Sequence, residues 1–104
     1  MPSIPTWMGH SKFTYSGCPK TGTRIMYGAS GRFEITAHQY AELRSHFLGR
    51  SVPVRTSRTS PASGSLGAWL KQRITKTAIA SYVASILVQE GHAKRVGNRN
   101  IKMF

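Results

Sequence analysis

Thr36 and Gln39 stand three positions apart at the head of an apolar repeat, with Ile35 before the pair and Tyr40 after it. A threonine hydroxyl can take one of the first free N–H groups of a helix, and a glutamine three residues on can reach back to the threonine's own N–H. An apolar pair at the flanking positions completes the arrangement, so a helix start at Thr36 is the tightest local constraint in the chain. The helix places Tyr40, Leu43 and Phe47 on one face, with Ala37, Ala41 and Leu48 beside them, and Gly49 is placed to end it. The ordered part reads β-hairpin, helix, loop, helix, turn, helix, β-hairpin.

On the N-terminal side, residues 1–10 carry two prolines and no periodicity, which predicts an irregular tail pinned by Trp7. Runs of β-formers at Lys12 to Tyr15 and Thr23 to Tyr27 flank a turn-rich stretch and predict a β-hairpin, with a short extended piece after it from Arg32 to Ile35. At strand spacing, Phe13, Tyr15, Ile25 and Tyr27 bury one face of that hairpin in preference to stacking on unpaired bases.

Past Gly49 the composition changes abruptly, and 49–65 is rich in Ser, Thr, Arg, Pro and Gly. So long a structureless loop is unusual in a small domain; it predicts a short strand around Ser51 to Thr56 and then a flexible arm. Leu66 to Arg73 is a short helix that presents Leu66, Trp69 and Leu70 to a core. Ile74 to Lys76 is a turn, with Thr75 or Thr77 able to cap the next helix. That helix, Thr77 to Glu90, carries Ile79, Tyr82, Val83, Ile86 and Leu87 on one side, and Thr77, Ser81, Ser85 and Val88 on the other. Gly91 stops it, and His92 to Val96 and Arg99 to Met103 form a hairpin around Gly97-Asn98.

A chain of 104 residues supports one small domain. The expected organisation is an irregular tail at 1–10 and a single basic domain over 11–104 with its flexible loop at 49–65. The expected fold class is α+β: three helices, an N-terminal β-hairpin and a C-terminal β-hairpin.

The last forty residues carry a more specific pattern. LGAWLKQR as one helix, ITK as a turn, TAIASYVASILVQE as the next helix, Gly91 as a stop and HAKRVGNRNIKMF as a hairpin together resemble the winged helix-turn-helix superfamily over residues 66–104. The likeness rests on order and spacing and extends to about two-thirds of the chain when the helix from Thr36 is taken as the first of three. It implies a DNA-binding domain whose last helix reads the duplex and whose hairpin is the wing.

Charge points the same way independently of that resemblance. Fifteen Lys and Arg face three acids, Glu34, Glu42 and Glu90, for a formal charge of +12. Such an excess favours a polyanionic partner. A helix N-terminus suits phosphate, and small hydroxyl residues allow close approach to bases. Thr77, Ser81 and Ser85 are therefore the expected base or phosphate contacts. Lys71, Arg73, Lys76, Lys94, Arg95, Arg99 and Lys102 supply the charge, with Asn98 at the wing tip and Arg50, Arg55 and Arg58 on the flexible arm.

The leading function is thus a DNA-binding transcriptional regulator or accessory factor, with duplex DNA favoured over RNA. An RNA-binding or ribonucleoprotein component, and an adaptor or inhibitor docking on an acidic protein, stand as alternatives. The small-residue side of the last helix equally suits a homodimer contact, which Val88 favours.

Enzymatic chemistry is poorly supplied. There is no Asp, and metal-assisted phosphoryl transfer or glycoside hydrolysis needs clustered carboxylates, so no catalytic residue and no cofactor are expected. His38, Glu42 and His46 recur at helical spacing but rotate apart along the helix, and no metal is expected. The stretch Gly17 to Thr23 superficially echoes a phosphate-binding loop, but it lacks the lysine after its second glycine and reads as a turn. Cys18 is alone and reads as an unreactive thiol. No apolar run approaches the roughly 20 residues of a membrane-spanning helix, so the expectation is a soluble protein with no membrane partner, cytoplasmic or nucleoid-associated.

Overall fold

The computed structural model describes residues 3–7, 9, 11–28, 31–54, 65–74, 79–97 and 99–104. In chain order the elements are β1 (Ser3–Pro5), β2 (Lys12–Cys18), β3 (Gly22–Tyr27), β4 (Gly31–Ile35), α1 (Ala37–Phe47), β5 (Ser51–Pro53), α2 (Leu66–Arg73), α3 (Ala80–Gln89), β6 (Ala93–Val96) and β7 (Asn100–Met103). They make a small α+β fold of three helices and two antiparallel sheets. β1 to β4 form a four-stranded meander, and the second sheet has the order β5-β7-β6.

The first sheet is larger than the hairpin expected from sequence. Ser3–Pro5, assigned to the irregular tail, pairs antiparallel with β2 so that Ile4 faces Phe13 across the strands. The hairpin itself runs on to Cys18 and Gly22, and β4 adds a fourth strand along β3. Gly17 explains the tightness of its turn. Its φ is +86°, and a Cβ there would collide with the carbonyl oxygen of Gly22. Alternation then sorts the side chains. Ile4, Phe13, Tyr15, Ile25 and Ile35 are buried, whereas Lys12, Arg24, Arg32 and Glu34 lie exposed on the other face.

α1 starts where the sequence places it. Thr36 Oγ1 accepts from Gln39 N–H at 3.1 Å, and Gln39 Oε1 accepts from Thr36 N–H at 2.9 Å. Tyr40, Leu43 and Phe47 are its buried face. α2 spans the expected residues, and its N-cap is Ser65, whose hydroxyl accepts from Ala68 N–H at 3.1 Å. Ser65 is 1% exposed and Val54 is likewise buried, so both flanks of the expected flexible loop belong to the packed structure. β5 is shorter than the expected strand and ends at Pro53.

α3 begins at Ala80 rather than Thr77, with Ile79 as its N-cap and no side-chain capping bond. Burial of the Ile79 side chain anchors this end instead. The helix carries no charged residue between Ala80 and Gln89, and it is enclosed accordingly. Val83, Ile86 and Leu87 are buried as expected, and so are Ala80 and Ala84. One core runs through both sheets and all three helices.

Candidate nucleic-acid interface

The second sheet sets out the C-terminal cations by register. Ala93 pairs with Met103, Lys94 with Lys102, Arg95 with Ile101 and Val96 with Asn100, while on the other side of β7 Ser51 pairs with Lys102 and Val52 with Ile101. Ala93, Met103, Ile101 and Val52 are buried, which turns Ser51, Lys102 and Lys94 outward as one row. Like charges directly opposite on a sheet repel. Among the described residues no carboxylate pairs with either lysine.

All three acids are committed elsewhere. Glu34 pairs with Arg24 at 2.8 Å on the outer face of the first sheet, and Glu42 pairs with His38 at 2.7 Å along α1. Glu90 accepts a 2.6 Å hydrogen bond from the Tyr15 hydroxyl, tying the end of α3 to β2. Burial, with Glu90 beside it, pushes the Tyr15 hydroxyl well above the ordinary tyrosine range. His46, third in the histidine–glutamate series, lies against the rings of Phe47 and Trp69 instead of joining His38 and Glu42.

The remaining expected contacts divide. Arg73, at the end of α2, and Arg99, in the turn just before β7, are exposed, and Lys71 is half-buried. The Arg99 carbonyl accepts from Val54 N–H at 2.8 Å, which ties the residue after β5 to the hairpin turn. Arg50 is exposed but belongs to no free arm: its N–H bonds to Phe47 O and its carbonyl accepts from Met103 N–H. Lys76, Thr77, Asn98, Arg55 and Arg58 lie outside the described residues.

Ser81 and Ser85 do not form an open reading face. Both are half-buried. Trp7, 2% exposed, donates its N–H to the Ser81 carbonyl at 3.2 Å, and Ser85 Oγ is turned back on Ser81 O at 2.9 Å. The Trp7 segment therefore meets α3 at Ser81, on the side expected to meet bases or a second copy, while Ser85 borders an open niche between the two. Tyr82 is equally committed, stacked on Tyr27 with a centroid distance of 5.0 Å and edge-on to Phe13.

Arg95 departs from its expected role as a simple wing cation. Its guanidinium lies over the Trp7 ring, 4.2 Å from the centroid, and Nη2 donates to the Trp7 carbonyl at 2.8 Å. The side chain nevertheless remains exposed. This contact joins positions 88 apart and has no signature in local sequence.

At the opposite end of the second sheet, burial with Arg44 and Lys20 nearby lowers the His92 pKa below its ordinary value, against a smaller pull from Glu90. Cys18 is also shifted downward, by the Thr21 hydroxyl and then the Lys20 and Thr21 backbone. No protein-family model, curated protein or solved structure matches the chain. Among the described residues no helix is long and apolar enough to cross a membrane.

Proposed function

We propose that the protein binds nucleic acid, with duplex DNA as the first partner, through the cationic outer face of the β6–β7 ribbon. The observation that carries this reading is the Lys94–Lys102 pair, held opposite one another on a sheet face where no described carboxylate neutralises them. A phosphate backbone relieves that repulsion and releases counterions on binding. The element order α1-β5-α2-α3-β6-β7, with β7 between β5 and β6, supports a winged helix-turn-helix in which the ribbon is the wing.

Because Trp7 meets α3 at Ser81 and the Ser85 hydroxyl is turned back on the helix, the ribbon carries more of the contact than the helix. Backbone contacts of this kind position a protein without reading bases. An accessory factor with weak sequence preference therefore fits better than a highly selective regulator. Binding is favoured over catalysis because each of the three carboxylates already has a structural partner.

The test is binding of a short random duplex across a salt series, monitored by anisotropy. Replacing both Lys94 and Lys102 by Ala should weaken binding and lower the slope of log affinity against log salt by about 2. An unchanged slope assigns the contact elsewhere. Competition by structured RNA at fixed salt separates the RNA reading, and a protein partner retained after nuclease treatment favours the adaptor.

A further inference from the structure

We infer that Trp7 is a positioning residue for Arg95, and that together they form a phosphate clamp beside the ribbon. The inference rests on the nucleic-acid reading and extends it to a residue from the opposite end of the chain. Arg95 occupies the row of β6 that is paired with buried Ile101, so its side chain leaves the outward lysine row and reaches Trp7.

An arginine side chain normally loses much rotamer freedom when it engages a phosphate. Here the ring below and the carbonyl at Nη2 already hold the guanidinium in one plane. A guanidinium has five N–H donors in a fixed fork, so one bond to a carbonyl leaves others available for a second acceptor. The exposed side chain borders an open niche of about 160 Å³, walled in part by Pro5, Thr6, Ser85 and Gln89. Pre-ordering of this kind raises affinity by removing a cost otherwise met on binding.

Trp7 is itself immobilised. Its N–H is bonded to Ser81, its ring is buried, and β1 is registered on β2 just ahead of it. Arginine is required at position 95 under this arrangement, because a lysine ammonium neither stacks in a plane nor offers a two-pronged edge.

The experiment measures affinity and salt slope for a random duplex with wild type, Arg95→Lys, Arg95→Ala, Trp7→Leu and the Trp7→Leu/Arg95→Ala double variant, each checked for its fold by circular dichroism. Arg95→Ala is expected to weaken binding about tenfold. Arg95→Lys should lose most of that affinity while keeping the salt slope, and Trp7→Leu should weaken binding comparably. The double variant should bind no worse than Arg95→Ala alone, since Trp7 acts through Arg95.

Full affinity in Arg95→Lys overturns the clamp and remains decisive should Trp7→Leu fail to fold. Additive losses in the double variant make Trp7 merely structural, and tighter binding by Trp7→Leu makes the N-terminal segment an inhibitory cover; either result overturns the positioning role. If the wild type shows no salt-dependent binding, the functional reading falls with it. If the wild type binds and the Arg95 variants match it, only the clamp falls.

Discussion

The two sheets handle charge in opposite ways. On the first, Arg24 stands opposite Glu34 in register and the pair closes at 2.8 Å on an open face, with both side chains more than 60% exposed. On the second, Lys94 stands opposite Lys102 and the row continues to Ser51. The first sheet fills its inner face with aromatic and branched side chains, and on its outer face the cross-strand pair is neutralised, although Lys12 and Arg32 also lie there. The second commits its inner face to the same core but leaves its outer face unbalanced. The like-charged cross-strand pair, more than the net charge of +12, locates the proposed interface.

The largest effect expected is on the buried side of the first sheet. Ile25 is fully buried, and Ile25→Ala should cost about 3 kcal/mol in urea unfolding, whereas Lys102→Ala on the second sheet should change stability by less than about 0.5 kcal/mol. Comparable losses would break the distinction between a structural sheet and an interactive face.

Next in size is the buried hydroxyl pair between β3 and α1. Thr23 Oγ1 and Tyr40 Oη lie 2.7 Å apart, and Tyr40→Phe, which leaves Thr23 unpartnered in the core, should cost about 1–2 kcal/mol. Burial pushes the Tyr40 pKa from 10.0 up to about 12. The unfolded chain therefore releases this proton first, and stability falls between about pH 10 and pH 12; Tyr40→Phe should reduce that slope in unfolding curves.

A charge reversal then sharpens the contrast, because the same change should have opposite signs in the two sheets. Lys94→Glu creates an attractive pair with Lys102 and should stabilise by roughly 0.5 kcal/mol while weakening duplex binding. Arg24→Glu places like charges opposite one another and should destabilise by a similar, roughly 0.5 kcal/mol amount. Equal signs in thermal unfolding would show that cross-strand charge does not govern either face.

The smallest effect concerns acid. His92 is held below its ordinary value of 6.5 by burial, Arg44 and Lys20, with Glu90 opposing them. The unfolded chain takes up this proton first as pH falls below that value, so stability is lost over the window in which the folded imidazole still resists protonation. His92→Gln should flatten the stability profile there, and an unaltered profile would remove His92 as its source.

Features with a local cause were legible in the sequence. α1 was readable because Thr36, Gln39, Ile35 and Tyr40 act within two turns, α2 because Leu66, Trp69 and Leu70 share a face, and the C-terminal hairpin because Gly97 adopts the positive φ, +67°, that its turn needs. β1 was not readable. A three-residue strand that ends in a proline has no period of its own, and it exists because Ile4 and Trp7 find partners distant in sequence. The same non-local contact hid the fate of Ser81 and Ser85. Their spacing on one helical side was correct, but spacing alone does not say which part of the protein covers that side. The outward Lys94 and Lys102 were visible as cations, and only the register revealed that they face each other.

The position of β7 has a consequence for biosynthesis. The strand that bridges β5 and β6 is the last of the three in chain order, so neither outer strand has its hydrogen-bonding neighbour until Asn100 to Met103 has emerged. The cationic ribbon therefore closes last, after β1 to β4 and all three helices are available. A nascent chain halted after Val96 would lack the pairing of Lys94 with Lys102, so the proposed docking face is the last part of the molecule to be completed.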